Sequence, residues 1–149
     1  MAATLIRAEQ VVCLDGQDSI YQPGYLIVEG SRIAEVGPQS ALGRRRFDEE
    51  IDLATHLVMP GLVNAHTHSP MVLFRGRAAG HSMFTFEGWY ETIRIIEEVM
   101  EPDMIPPAVA LSCAEMMRTG TTCFADQYFW MDEIVPAVRR SGLRAALAY

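Results

Sequence analysis

Short apolar runs separated by turn residues fill the first sixty positions. Residues 3–14 (ATLIRAEQVVCL) and 25–36 (YLIVEGSRIAEV) are rich in Val, Ile and Leu, with Gly30-Ser31 as a tight hairpin connection. These runs predict antiparallel strands. After a polar stretch from Gly43 to Glu50 come Ile51 to Leu53 and then Leu57-Val58-Met59-Pro60-Gly61, where Pro and Gly mark a change of pattern.

Beyond that break the period changes. Gly61 to Ala65 reads as a buried strand that ends in histidines and feeds a long polar loop through Gly80. Trp89, Ile93, Ile96 and Met100 recur at helical spacing and predict a helix between Phe86 and Met100. A second helix follows, capped by Asp103, with Pro106 and Pro107 in its first turn and Gly120 at its end. Thr121 to Ala125 predicts a strand ending at Asp126, Asp132 to Ser141 a helix stopped by Gly142, and Leu143 to Tyr149 another strand. Strand-helix alternation with short connections predicts parallel strands, as in a barrel or a doubly wound sheet. A closed barrel needs about 250 residues, whereas this chain has 149. The expectation is therefore the front of a longer protein, poorly folded if isolated because sheet edges stay open.

Composition narrows the chemistry. The chain is 50% hydrophobic and 21% charged, as in core-forming proteins, and carries a net charge of -7. That sign disfavours nucleic acid and anionic membranes as partners. All 12 basic residues are arginine, so a Schiff-base, phosphate-loop or carbamylated lysine is excluded within these residues. The 3 cysteines, Cys13, Cys113 and Cys123, show no metal-knuckle spacing and no disulfide framework, which suits a reducing cytoplasm. Met1 to Cys13 lacks the continuous apolar core of a secretory signal, and no run nears the roughly 20 residues that cross a bilayer.

The chemistry concentrates at His66 and His68. On a strand, residues two apart face the same side. Two imidazoles leaving one strand end can share a divalent cation and leave positions for ligands from elsewhere. The pair follows a Pro-Gly break and a buried strand, at the strand end where barrel enzymes place their ligands. A histidine pair in a loop also serves plain hydrogen bonding, so the spacing alone does not decide.

The run Val58-Met59-Pro60-Gly61-Leu62-Val63-Asn64-Ala65-His66-Thr67-His68-Ser69-Pro70-Met71 resembles the metal-binding start of the amidohydrolase superfamily barrel. Leu73-Phe74-Arg75-Gly76, Phe86-Glu87-Gly88-Trp89, Gly120 to Asp126 and Ser141 to Ala145 agree with it. Together they resemble the branch of 5'-methylthioadenosine and S-adenosylhomocysteine deaminases, s-triazine hydrolases and guanine deaminases. The resemblance implies an α/β chain with two parts. Residues 1–57 would be the N-terminal part of a small β-sandwich, and residues 58–149 the first βα units of an incomplete (β/α)8 TIM-type hydrolase barrel. It implies one divalent metal on His66 and His68, zinc ahead of iron, with the remaining ligands and proton carriers outside these residues. Asn64 matches the deaminase branch, where the two-metal branch has Asp.

The function implied is hydrolytic deamination of an amino-substituted nitrogen heterocycle, foremost an adenosine derivative, through a metal-activated water. The partner is then a small molecule, and a homo-oligomer of the full-length protein fits the family. An s-triazine or guanine hydrolase is the alternative within the family, and a non-catalytic truncated fragment the alternative outside it. By the same resemblance, Trp89 and one of Glu97 and Glu98 contact base and ribose. Counting back from Met100-Glu101-Pro102-Asp103 selects Glu97, and counting forward from Trp89 selects Glu98. Against this, Trp89 suits plain core and paired glutamates suit a solvated helix face. Asp126 ends its strand either as an active-site polar group or as a cap for the following turn.

Overall fold

The computed structural model describes residues 2–149, which divide into two compact units at Pro60/Gly61. In the first, β1 (Ala3–Val12) pairs antiparallel with β2 (Ile20–Tyr21) and β3 (Gly24–Glu29), and β3 pairs antiparallel with β4 (Arg32–Pro38). The hairpin between β3 and β4 turns at Gly30-Ser31 as the sequence predicts, with Gly30 in the left-handed region at φ 61°. β5 (Glu49–Val58), for which the sequence pattern sets no pairing direction, lies parallel to β1. Both faces of the sheet carry apolar residues. Leu5, Tyr25 and Ile27 pack with Leu42 and Phe47, and Ala8, Val11 and Leu26 pack with Leu53 and Val58. Arg45 grips Glu35 with two guanidinium nitrogens at 2.6 and 2.9 Å, and the Tyr25 hydroxyl donates to the same carboxylate. These donors hold the Glu35 carboxyl down at about 2.

The second unit is a parallel sheet in the order β6 (Leu62–Thr67), β7 (Thr121–Gln127), β8 (Arg144–Ala148). Between β6 and β7 run a 3-10 turn (Ser69–Phe74), then α1 (Phe86–Trp89), a π turn (Tyr90–Arg94) and α2 (Ile95–Glu97) in one continuous helical stretch, and finally α3 (Ile105–Arg118). α4 (Met131–Ser141) connects β7 to β8. Gly120 and Gly142, with φ of +82° and +80°, end α3 and α4 in the left-handed conformation that glycine adopts without strain. Phe124 of β7 packs with Ile105, Val109 and Cys113 of α3 and Ile134 and Val138 of α4, all at 5% exposure or less. That core fixes the strand whose end carries the site.

Two expectations need correction. Asp103 does not cap the second helix: a 3-10 turn (Pro102–Met104) precedes it, Met104 occupies the cap position, and no side chain bonds there. The segment after the histidines is not irregular through Gly80, because Ser69, Pro70 and Phe74 are buried in the 3-10 turn. Among the described residues no helix is long and apolar enough to cross a membrane.

Candidate metal centre

The histidines sit where the pairing of β6 with β7 slips. Asn64 opposes Phe124 and Thr67 opposes Asp126, so β6 spends one residue more than β7 over this interval. Such a bulge bends a strand and re-aims its side chains. Asn64 supports it by accepting the His66 backbone N–H at 3.3 Å. Beyond the slip, side chains continue the cross-strand bonding. The Thr67 hydroxyl donates to the Ala125 carbonyl, and His68 Nδ1 lies 2.6 Å from the Gln127 carbonyl.

A carbonyl only accepts, so Nδ1 of His68 carries the hydrogen and a neutral ring keeps its lone pair on Nε2. That Nε2 lies 3.1 Å from Nε2 of His66, with the rings nearly perpendicular. Two imidazole nitrogens bound to one tetrahedral zinc at 2.0–2.1 Å stand about 3.3 Å apart. The pair therefore has the separation and the donor atoms that a shared divalent cation requires. Among the described residues no third His, Cys, Asp or Glu joins them.

Asp126 is 3% exposed, and its carboxylate accepts the Ser69 backbone N–H at 2.8 Å as well as the Ser69 hydroxyl. A cavity of about 560 Å³ opens at the strand ends, lined by Ala65 to His68, Ala125 to Gln127 and Ala146 to Ala148.

A second cavity, of about 360 Å³, shares His68 and Gln127 with the first and extends to Trp89, Ile93, Glu97, Tyr128 and two methionines, Met71 and Met83. Trp89, 39% exposed, and Glu97 both line it. Glu98 does not: its side chain is 49% exposed and lies 3.8 Å from Arg94. The π turn explains the placement. It takes about one residue more than an α turn, so the position eight after Trp89 comes round to the face that the seventh would take in a plain α-helix.

Glu97 is held by the Tyr128 hydroxyl, which donates at 2.9 Å, and by Arg94 at 3.4 Å. Burial, reinforced by the Glu97 carboxylate, pushes the Tyr128 phenol well above its ordinary range, so it remains a neutral donor. Spacing did not single out Tyr128 as a partner of Glu97. The available signal was its place directly after a buried strand. Nor did the sequence signal Trp130, whose left-handed backbone (φ 59°) turns the chain into α4.

The model of the amidohydrolase family matches residues 57–149. The chain belongs to the amidohydrolase family. It is 38% identical over 99% of its length to a 5-methylthioadenosine/S-adenosylhomocysteine deaminase of Pelotomaculum thermopropionicum, covering 34% of that protein. It is 37% identical over its full length to a 5'-deoxyadenosine deaminase of Methanosarcina barkeri, covering 33%. This amidohydrolase chain thus spans about a third of the length of the curated relatives it matches. Among solved structures, a zinc-bound adenosine deaminase from Xanthomonas campestris superposes on 97% of the chain with a TM-score of 0.83 at 31% identity, the chain covering 33% of it. A zinc complex of atrazine chlorohydrolase from Arthrobacter aurescens follows with a TM-score of 0.81 at 25% identity, over 97% of this chain and 35% of that one.

Proposed function

We propose that this amidohydrolase chain carries the metal-binding front of an enzyme that hydrolytically deaminates an adenosine derivative. In this reading residues 58–149 are the opening βα units of a (β/α)8 barrel, and residues 1–57 are part of a small β-sandwich. His66 and His68 hold one divalent cation, zinc before iron, through their Nε2 atoms. The observation that carries the reading is the 3.1 Å between those two nitrogens, one of them left unprotonated by the bond from His68 to Gln127. When bound, the cation supplies Lewis acidity and acidifies water enough for attack at neutral pH.

Glu97 is the acceptor for substrate hydroxyls. A carboxylate offers about four acceptor positions, and Tyr128 and Arg94 take two of them. Two remain, which matches the vicinal diol of a ribose. Trp89 and the methionines form an apolar wall for the ring, and Tyr128 separates the two ends of the site, its ring centroid 6.2 Å from that of His68. The names of the two deaminase relatives point to the same substrate class. A chlorotriazine has no diol to engage Glu97, so the triazine reading leaves that residue without a partner.

The test is turnover by the zinc-loaded protein, as its gene encodes it, read as ammonia release from adenosine, 5'-methylthioadenosine, 5'-deoxyadenosine and guanine and as chloride release from a chlorotriazine. Turnover of the three nucleosides, with a fall of at least about a hundredfold in His66→Ala, is the expected result for loss of a metal ligand. Turnover of the triazine or guanine alone would overturn the substrate assignment.

A further inference from the structure

We infer that Asp126 is a positioning residue for the histidine pair, acting through Ser69, and not a group that meets substrate. The inference rests on His66 and His68 being metal ligands. Its starting point is a pattern at the slip in the sheet: three consecutive residues of β7 hold the three consecutive residues 67–69 at the end of β6. The Ala125 carbonyl takes the Thr67 hydroxyl, the Asp126 carboxylate takes both donors of Ser69, and the Gln127 carbonyl takes Nδ1 of His68.

Asp126 is the only charged member of that set and, with Ser69, the most deeply placed, both at 3% exposure. A buried carboxylate is costly unless donors satisfy it, and here one residue supplies a donor to each oxygen. Ser69 is tied from its other side as well, because the Ser112 hydroxyl of α3 donates to its carbonyl at 2.7 Å. The residue following His68 is thus bolted to both the sheet and α3. With the backbone fixed there and the ring fixed by Gln127, His68 has one orientation, the one that aims Nε2 at His66. Outer partners that orient metal-binding imidazoles typically govern 10–100-fold in metal affinity.

The experiment uses the protein as its gene encodes it, stripped of metal and labelled with 15N-histidine at pH 8. The His66 and His68 signals are assigned from their single variants, and zinc is titrated against a competing chelator. In the wild type His68 shows the Nδ1–H tautomer and zinc shifts both rings. Asp126→Ala is expected to weaken zinc binding 10–100-fold and to release the His68 tautomer into a mixture. Asp126→Asn, which still accepts the Ser69 N–H, should stay within about threefold of the wild type. If Asp126→Ala does not fold, Ser69→Ala carries the test, with a loss of about threefold or more expected from removing one bond to a charged group. A folded Asp126→Ala protein, or failing that Ser69→Ala, with wild-type zinc affinity and an unchanged tautomer overturns the inference. A wild type in which zinc shifts neither ring overturns instead the ligand assignment on which it rests.

Discussion

The two walls of the candidate site are built by opposite means. On the histidine side, residues 67–69 are bonded one by one to residues 125–127, and every donor and acceptor named there is part of the sheet or one bond away from it. On the Trp89 side the wall is a helical stretch interrupted by a π turn, and its aromatic residues Phe86, Trp89 and Tyr90 are each at least 39% exposed. It touches the strand side through one polar bond described above, from Tyr128 to Glu97. Under the proposed function the histidine wall needs a fixed geometry whatever the substrate, whereas the Trp89 wall, which would meet the substrate, has to vary between relatives of different specificity. The first is therefore anchored in a sheet, and the second hangs on a helix whose register one residue can change.

The contrast breaks if both walls prove equally stiff. Phe124, 1% exposed in the middle strand, is the side chain on which β7 rests. Phe124→Ala should cost about 3–5 kcal/mol, the range for emptying a well-packed aromatic site. Ile93, 5% exposed within the π turn, is comparably buried, but Ile93→Ala should fall near the lower end for aliphatic truncation, about 2 kcal/mol, because a loosely held helix can close on the gap. Urea unfolding of the purified variants measures both. Equal losses would mean that the helical wall is as tightly fixed as the sheet.

The bond from Tyr128 to Glu97 comes next in size. Tyr128→Phe removes a hydrogen bond to a carboxylate whose side chain is only 8% exposed, and should cost about 1.5–3 kcal/mol. The same bond has a pH signature. The folded phenol titrates above its unfolded value of about 10. The neutral form is thus favoured by folding, and its stabilisation is complete below pH 10 and declines as the pH rises beyond it. Urea midpoints at pH 8 and pH 11 should fall more steeply in the wild type than in Tyr128→Phe. Parallel slopes would show that the phenol does not couple the two walls.

The same division decides what could be read from the chain beforehand. The histidine pair was legible because two residues apart at a strand end still bring two rings together, even though the register slips between Asn64 and Thr67. α3, α4 and the parallel order of β6 to β8 were legible because glycines, prolines and apolar spacing all point the same way. The cap at Asp103 was misread because a 3-10 turn intervenes, and nothing in residue type distinguishes such a turn from the first turn of an α-helix. The parallel pairing of β5 depends on contacts more than forty residues apart, which no local pattern carries. The choice between Glu97 and Glu98 stayed open for a sharper reason. The counts back from Met100-Glu101-Pro102-Asp103 and forward from Trp89 disagreed by one residue, and no residue type in Tyr90–Arg94 announces the π turn that lies between Trp89 and the glutamates.

That register is open to the smallest and most discriminating measurement. Glu98 is half-exposed and faces Arg94 across 3.8 Å, so Glu98→Gln should change stability by no more than about 0.5 kcal/mol, as exposed ion pairs do. Glu97→Gln keeps an oxygen for the Tyr128 hydroxyl but turns a bond to a charged acceptor into a neutral one, a loss of about 1 kcal/mol. It should also flatten part of the alkaline slope, because the Glu97 carboxylate contributes to raising the phenol. If Glu98→Gln gives the larger loss and the change in slope, Glu98 and not Glu97 is the partner of the Tyr128 hydroxyl, and the register described above fails. If Glu97→Gln does so, one inserted residue in a single turn is what turns a carboxylate toward the substrate side of the site. Deleting one residue there should then restore a plain α turn and leave Glu97, now seventh after Trp89, on the cavity face.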